Sequence, residues 1–191
     1  MVVTMQRGAR AALVALAALL VSVACADGHT EPVDEPPTPV AQPTAGEGWR
    51  LLDEAKDSGE AYRTGIATTP DQFDALRSVS GLAADGAEID WDSEVVVWFG
   101  AVFGTSCPIR LTAVEVTDGV LHGTFPLASG RTEGECTADG RPHAFLVAVE
   151  RDVLPEGPFR IQLRPTPPPT GARDEITVVD ADLSGPGATL G

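Results

Sequence analysis

One stretch constrains the fold of this chain more than any other: the apolar run within Glu94–Leu111, EVVVWFGAVFGTSCPIRL. Its β-branched and aromatic part, Val95–Phe99, is unbroken, as is typical of a strand buried on both faces. Gly100 and Gly104 then interrupt the run, and glycine within a strand marks a bulge, a bend or a close backbone approach. Cys107 follows. The sequence therefore predicts a domain built on this central strand and fastened through Cys107.

The surrounding segments predict further short strands and one helix. Thr69 and Pro70 suit a helix cap and first turn, Phe73 and Leu76 begin an apolar stripe that continues to Val79–Ser80, and Gly81 suits the helix end. Strands are predicted at Glu60–Thr68, Ile109–Thr117, Val120–Phe125, His143–Glu150, Phe159–Arg164 and, at an edge, Ile176–Val179, whereas Trp49–Ala55 is ambiguous. This pattern indicates an α+β, mostly β fold: an antiparallel β-sandwich or partly open barrel with one helix.

Asp118-Gly119, between two alternating segments, predicts a hairpin with a two-residue turn. Counting outward from the turn places the pairs Val116–Leu121, Val114–Gly123 and Thr112–Phe125 on one face, and Glu115–His122 on the other. We interpret the Glu115–His122 pair as a solvated cross-strand contact rather than an acid–base couple.

The N-terminus predicts export. Arg7 and Arg10 precede an apolar stretch of about 14 residues, which is too short to span a bilayer of about 30 Å as a helix and is typical of a secretory signal. It ends in Val21-Ser22-Val23-Ala24-Cys25, which resembles a bacterial lipobox, with Ser22 where an aliphatic residue is usual. The sequence predicts a signal peptide over 1–24, lipidation of Cys25, and an anchor on the extracytoplasmic face of the cell membrane. The alternative is ordinary secretion with an incidental Cys25.

Composition divides the remaining chain. Residues 25–48 contain five prolines among acids and threonines, which predicts a disordered, partly polyproline tether. Residues 49–164 are expected to form the β-rich globular domain. Residues 165–191 are expected to form a proline-rich link, a possible edge strand and a flexible tail.

The chain has three cysteines. If Cys25 carries lipid, Cys107 and Cys136 remain as a pair that an exported compartment allows to oxidise. A disulfide closing a loop of about 30 residues stabilises a fold by roughly 3–4 kcal/mol in the chain-entropy model. A metal or redox site is less favoured because there is no C-x-x-C pair. No metal and no cofactor are expected.

Charge limits the partners. The chain has 28 acidic and 13 basic residues, and removal of the leader lowers the net charge from −15 to about −17. Such a charge opposes binding to nucleic acid or to an anionic lipid surface. The long polar loop Pro126–Pro142 is the predicted recognition segment, and the alternative is an acidic surface excursion that binds nothing. Its candidate residues for binding an unidentified envelope protein are Arg131, Glu133, Glu135 and Arg141.

No catalytic motif is present: the sequence has no G-x-S-x-G, H-E-x-x-H, P-loop or dinucleotide fingerprint. The domain histidines are His122 and His143, and no spacing favours a triad of either with Ser106 or Ser129. The sequence therefore favours a non-catalytic protein. The alternative is a protein that binds a small ligand or a cation through the acids near Asp90–Asp92 or through the Arg131–Arg141 loop. A hydrolase is a less favoured alternative.

One family resemblance adds to this interpretation. It is carried by the Phe73–Leu76 helix, Ile89-Asp90-Trp91, Val95-Val96-Val97, Gly100, Gly104 before a strand led by Ile109, and Pro142-His143-Ala144-Phe145-Leu146-Val147. Over roughly Gln72–Leu163 the chain resembles the PrcB-like C-terminal domain family, which is found in a component of a protease complex. The family's Gly-Gly-Tyr is replaced here by Thr105-Ser106-Cys107. The resemblance implies a small extracytoplasmic module with a non-catalytic accessory role in assembling a surface protease, and it transfers no binding residues.

Overall fold

The computed structural model describes residues 42–128, 136–137, 139–165 and 176–190. These residues belong to one compact unit, Pro36–Gly191. The strands are β1 (Ala45–Gly46), β2 (Trp49–Lys56), β3 (Arg63–Ala67), β4 (Glu94–Gly104), β5 (Ala113–Thr117), β6 (Val120–Phe125), β7 (Gly140–Glu150), β8 (Phe159–Pro165) and β9 (Thr177–Val179). Helix α1 spans Pro70–Ser80, and a 3-10 turn spans Arg151–Val153. The predicted β-rich α+β class is confirmed.

The strands form two sheets. One has five strands in the order β1-β2-β7-β4-β3, and the other has four in the order β5-β6-β8-β9. Every pair is antiparallel except β6 and β8, which run parallel. The described strands form no closed barrel. Along one side the sheets are joined by Thr64 of β3, whose hydroxyl lies 2.5 Å from that of Thr177 in β9. The described part of the chain is therefore a sandwich.

Strand β4 is central, as predicted. It pairs with β7 on one side and β3 on the other, and Val95–Phe99 are buried on both faces. Val95, Val97 and Phe99 face the core between the sheets, whereas Val96 and Trp98 pack toward the helix. The described residues therefore form three layers: helix, five-stranded sheet and four-stranded sheet.

Helix α1 has the predicted cap and end. The Thr69 hydroxyl accepts the N–H of Gln72 at 3.3 Å, and Gly81 has a left-handed φ of 68°. Phe73 and Leu76 are buried against the sheet, as predicted. The stripe continues to Ser80, which is buried, but not to Val79, which is 52% exposed, because the helical repeat places Val79 further around the helix from Phe73 than either Leu76 or Ser80.

The predicted hairpin is present between β5 and β6. Asp118 and Gly119 have φ angles of 51° and 71°, as a two-residue turn with both residues left-handed requires. The pairs Val116–Leu121, Val114–Gly123 and Glu115–His122 are confirmed. The expected Thr112–Phe125 pair is wrong. Ala113 pairs with Thr124, and the N–H of Thr112 also reaches the Thr124 carbonyl at 3.0 Å, so the register slips there as in a β-bulge.

Gly100 is a point of close backbone approach, as the interruption of the apolar run predicted. A Cβ at this position would lie 2.0 Å from the Glu60 carbonyl oxygen. Tyr62 has a φ of 59°, and its N–H donates to the Gly100 carbonyl at 2.7 Å. The chain thus folds over β4 immediately before β3, which begins at Arg63 rather than at the predicted Glu60.

The packed unit extends beyond the expected limits of 49 and 164. Gln42 bonds to Leu111 near its start, and Val179 and Leu183 are fully buried near its end. Buried Arg151 holds this last segment by donating to the Leu183 carbonyl at 3.3 Å. No helix in the described residues is long and apolar enough to cross a membrane. The predicted leader, Cys25 and most of the tether lie outside the described residues.

Candidate functional site at the disulfide end of the sandwich

The candidate site lies where the C-terminal end of β4 meets the N-terminal end of β7. Phe103 pairs there with Arg141, and Gly104 pairs with Gly140. The predicted disulfide is present beside them, with the Cα atoms of Cys107 and Cys136 separated by 5.5 Å. Cys107 is fully buried.

Side-chain hydrogen bonds reinforce this end. Thr105 donates its hydroxyl and its N–H to the carboxylate of Asp139. Ser106 accepts the N–H of Thr137 at 2.9 Å. The bond from Thr105, followed by one from Thr137, lowers the pKa of the exposed Asp139 carboxyl to about 2. The two chain segments joined by the disulfide are therefore also joined by polar contacts.

Arg141 is the candidate binding residue that the structure describes; Arg131, Glu133 and Glu135 lie outside the described residues. The Arg141 Nε atom lies 2.5 Å from a carboxylate oxygen of Asp57, and both side chains are about half exposed. Asp57 has a left-handed φ of 58° and donates its N–H to the Pro142 carbonyl. The structure thus fixes Arg141 on a surface rim next to the end of β2.

A bulge in β2 brings two more charged residues to this end. The register with β7 shifts between Leu51 and Asp53. Before the shift, Trp49 and Leu51 face the core between the sheets; after it, Glu54 and Lys56 take that face, opposite Phe145 and His143. A bulge redirects side chains in this way because it inserts one residue into a two-residue repeat.

His143 is the buried member of the resulting cluster. Its side chain is 3% exposed, and its Nε2 atom lies 3.7 Å from Glu54 Oε2. The imidazole packs against Phe145 and Phe103, with ring centroids 4.1 and 5.6 Å away. The ammonium of Lys56 lies 5.8 Å from the Phe103 ring centroid.

Burial sets the protonation of this cluster. It lowers the pKa of the His143 imidazole to about 4; Lys56 adds to the lowering, and Asp57 opposes it. Burial raises the pKa of the Glu54 carboxyl, against the effect of Lys56. The imidazole is therefore neutral at pH 7. No described serine, threonine or cysteine forms a hydrogen bond with it, and a nucleophile–base contact of that kind is the geometry on which a hydrolytic triad depends.

His122 has a different environment, on the outer face of β6. Burial lowers the pKa of its imidazole, with contributions from Arg164 and Arg160 of the neighbouring strand; Asp118 and Glu115 oppose them. It faces Glu115 across the hairpin, as predicted. His143 lies on the inner face of the five-stranded sheet, whereas His122 lies on the outer face of the four-stranded sheet. The two histidines therefore do not form one site.

Of the acids near Asp90–Asp92 that were predicted to suit a cation site, Asp90 forms hydrogen bonds within a turn. The Asp90 carboxylate accepts the N–H of Asp92 and the hydroxyl of Ser93. Glu94 forms a two-point ion pair with Arg50, and this hydrogen bonding lowers the pKa of the Glu94 carboxyl. The part of the chain that the structure describes contains no group of three or more histidine, cysteine, aspartate or glutamate side chains that could hold a metal ion.

Sequence reasoning missed Glu54 and Lys56 because their strand, WRLLDEAK, shows no alternation that places them on a buried face. The sequence carries a local sign of burial only for His143, because this residue begins the apolar strand HAFLVAVE. Comparison with known proteins found no matching family model, curated protein or solved structure.

Proposed function

We propose that this chain is an exported, lipid-anchored interaction module of the cell envelope, with a non-catalytic role in recognising a protein partner. The observation that carries the proposal is the pairing of Cys107 with Cys136. Disulfides persist in oxidising compartments outside the cytosol. Because these two cysteines pair with each other, Cys25 is left as the odd cysteine directly after an apolar leader.

The disulfide end supports the recognition part of the proposal. Its rim presents Arg141, Asp57 and Lys56 on strand ends that the disulfide and the Thr105–Asp139 bonds hold together. Polar side chains on a rigid scaffold are suited to protein recognition because little conformational entropy is lost when they bind.

The anchoring test compares Cys25→Ala with the unchanged chain in fractionated cells. We expect the unchanged protein in the membrane fraction and the variant in the soluble exported fraction. A Cys107→Ala/Cys136→Ala variant is the matched control, since it removes two thiols and leaves Cys25 intact. Retention of Cys25→Ala in the membrane would contradict anchoring through this residue.

The recognition test is crosslinking in native membranes followed by mass spectrometry. A single stoichiometric protein neighbour, lost when Arg141 and Lys56 are replaced by Glu, would support recognition through the disulfide end. Recovery of the protein alone, with lipid on Cys25, would contradict a protein partner. A thermal-shift screen against metals and envelope sugars would then test the small-ligand alternative.

A further inference from the structure

A groove of about 460 Å³ opens on the side of the sandwich opposite the Thr64–Thr177 contact, between the free edge of β5 and the turn that joins β1 to β2. Its apolar lining includes Trp49, Val114, Leu121 and Val153. Val116, which also lines it, is 37% exposed. The groove therefore combines an apolar floor with the main chain of an edge strand.

The edge of β5 has unused hydrogen-bonding groups. Residues that flank a two-residue turn exchange both main-chain hydrogen bonds, and the bonded positions then alternate along the strand. Because Thr117 pairs with Val120, we expect Thr117, Glu115 and Ala113 to face β6 and the main-chain groups of Val114 and Val116 to face the free side. In the described residues no backbone group bonds to that side.

Edge strands attract other strands unless charged side chains, proline, a bulge or a covering element protects them. The sequence of β5, AVEVT, contains neither lysine nor proline, and Glu115 is its one charged residue. The slip at Thr112 lies before the strand rather than within it. Within the part of the chain that the structure describes, the free side of β5 is thus open to a further strand.

Just before β5, the side chain of Gln42 forms hydrogen bonds with the main chain on this edge. Its side-chain amide accepts the N–H of Leu111 at 3.0 Å and donates to the Leu111 carbonyl at 2.8 Å. This is the two-way exchange that a neighbouring strand would make. Among residues 42–128, 136–137, 139–165 and 176–190 this contact stops at Leu111, and the edge is open from Val114 onward.

Charge selects among possible occupants. Glu47 and Glu115 both line the groove, and neither has an ion pair or side-chain hydrogen bond within the described residues. A second copy paired through β5 about its centre would place Glu115 opposite Glu115, and like charges directly opposite are destabilising. The chain's own residues 26–41 carry four acids and no lysine or arginine. A basic segment of another protein is therefore the complementary occupant.

We propose that this groove binds an extended segment of a partner protein with alternating apolar and basic residues, which joins the four-stranded sheet as a strand beside β5. The proposal rests on the protein-recognition role proposed above and adds a second surface to it. The apolar side chains of the segment would enter the groove over Trp49 and Val153. Its basic side chains would lie on the outer face, opposite Glu115.

The first experiment measures binding of a fluorescent Lys-Val-Lys-Val-Lys-Val-Lys peptide to the full mature chain by fluorescence polarisation. The control peptide, Lys-Pro-Lys-Pro-Lys-Pro-Lys, has the same charge but lacks alternate N–H groups and cannot extend a sheet. We expect the valine peptide to bind at least roughly tenfold more tightly. Equal binding of the two peptides would show attraction by charge alone and would overturn the proposal.

Val116→Pro tests whether the peptide binds through hydrogen bonds to the main chain of β5. Its N–H faces the free side, and proline is tolerated at such edge positions, so we expect the variant to fold and to lose the valine peptide. Glu47→Lys/Glu115→Lys tests the charge part and remains informative if the proline variant does not fold. We expect it to weaken binding roughly tenfold. Asp85→Lys, at a side chain that is 88% exposed and lies near the helix, is the control for charge reversal away from the groove and should bind as the unchanged chain does.

The same double variant separates this proposal from the proposed function. In native membranes, loss of the crosslinked neighbour on Glu47→Lys/Glu115→Lys, but not on Asp85→Lys, would support the groove as the docking surface. Retention of the neighbour in both variants would reject the groove and leave the interaction module intact. Absence of any neighbour with the unchanged chain would contradict the proposed function. The peptide measurement would still decide whether the groove binds an extended segment.

Discussion

The Nε2 atom of His143 lies 3.7 Å from the Glu54 carboxylate, although a strict two-residue repeat from Trp49 would place Glu54 on the opposite face of the sheet. The bulge in β2 creates this relationship. It leaves a neutral imidazole in the core next to a carboxyl whose pKa burial has raised. The stability of the domain should therefore depend on pH in a way that these two groups determine.

We expect the domain to lose stability as the pH falls from 6.5 to about 4. The pKa of His143 is about 4 in the folded state and near its ordinary value of 6.5 in the unfolded chain, so the unfolded chain binds more protons between these values. The free energy of unfolding should fall by at most about 3 kcal/mol, because the slope cannot exceed about 1.4 kcal/mol per pH unit. The raised pKa of Glu54 acts in the opposite direction, because the folded state then binds a proton more readily.

Denaturant unfolding at several pH values tests this. His143→Phe, which preserves the aromatic contacts, should flatten the stability profile between pH 6.5 and 4. Glu54→Gln removes the opposing group and should make the profile steeper. An unchanged slope in His143→Phe would assign the acid sensitivity to other groups.

We expect the Cys107→Ala/Cys136→Ala variant to be about 3–4 kcal/mol less stable than the oxidised protein, because the disulfide restricts a loop with a sequence separation of 29 residues in the unfolded chain. Urea unfolding with and without reductant gives the measurement. Reductant should have no effect on the double variant. Equal stability of the double variant and the oxidised chain would contradict this contribution.

Gly100→Ala is expected to destabilise the domain by about 2 kcal/mol or more, since the new Cβ would lie 2.0 Å from the Glu60 carbonyl oxygen and the backbone must move. Gly185→Ala is the matched control. No atom lies within 4 Å of the position that its new methyl group would take, so we expect a change within about 0.5 kcal/mol. Thermal unfolding of both variants compares them, and similar melting temperatures would show that the loop before β3 adapts without cost.

Arg151→Met should destabilise the domain by about 2–4 kcal/mol and expose residues 176–190 to protease. Its guanidinium donates to the carbonyls of Leu183 and Trp91 at 3.3 and 3.1 Å, and these acceptors would lose a charged donor. Arg160→Met, at an exposed position without an ion pair in the described residues, is the control and should change stability by less than about 0.5 kcal/mol. Equal rates of cleavage in the two variants would argue against this role of Arg151.

The features that the sequence predicted depend on local patterns. Val95–Phe99 contains enough consecutive apolar residues to specify a strand buried on both faces. Thr69 and Gly81 specify the ends of the helix by their own hydrogen bonding and backbone conformation. The Asp118-Gly119 turn fixes the register of the nearest pairs, and the register fails only at Thr112, beyond the reach of the turn.

The features that the sequence did not predict depend on distant contacts. The bulge at Leu52 hides the alternation of β2, because each half of the strand follows a different phase. The segment that contains buried Leu183 is bonded to Arg151, which lies 32 residues earlier in the chain. The groove has no local signal either, since Glu47 and β5 approach each other only through the packing of two sheets.

The parallel pairing of β6 with β8 has a consequence for how the domain is made. The chain must leave the four-stranded sheet after Phe125, complete β7 in the other sheet, and return at Phe159 to run beside β6. The two strands are thus separated by roughly 34 residues, and contacts between residues far apart in sequence form slowly. A ribosome that has released only the first 125 residues presents β6 with one side unpaired. The same holds for a chain that is being exported, so this side of β6 should stay unpaired until the C-terminal third is available to fold.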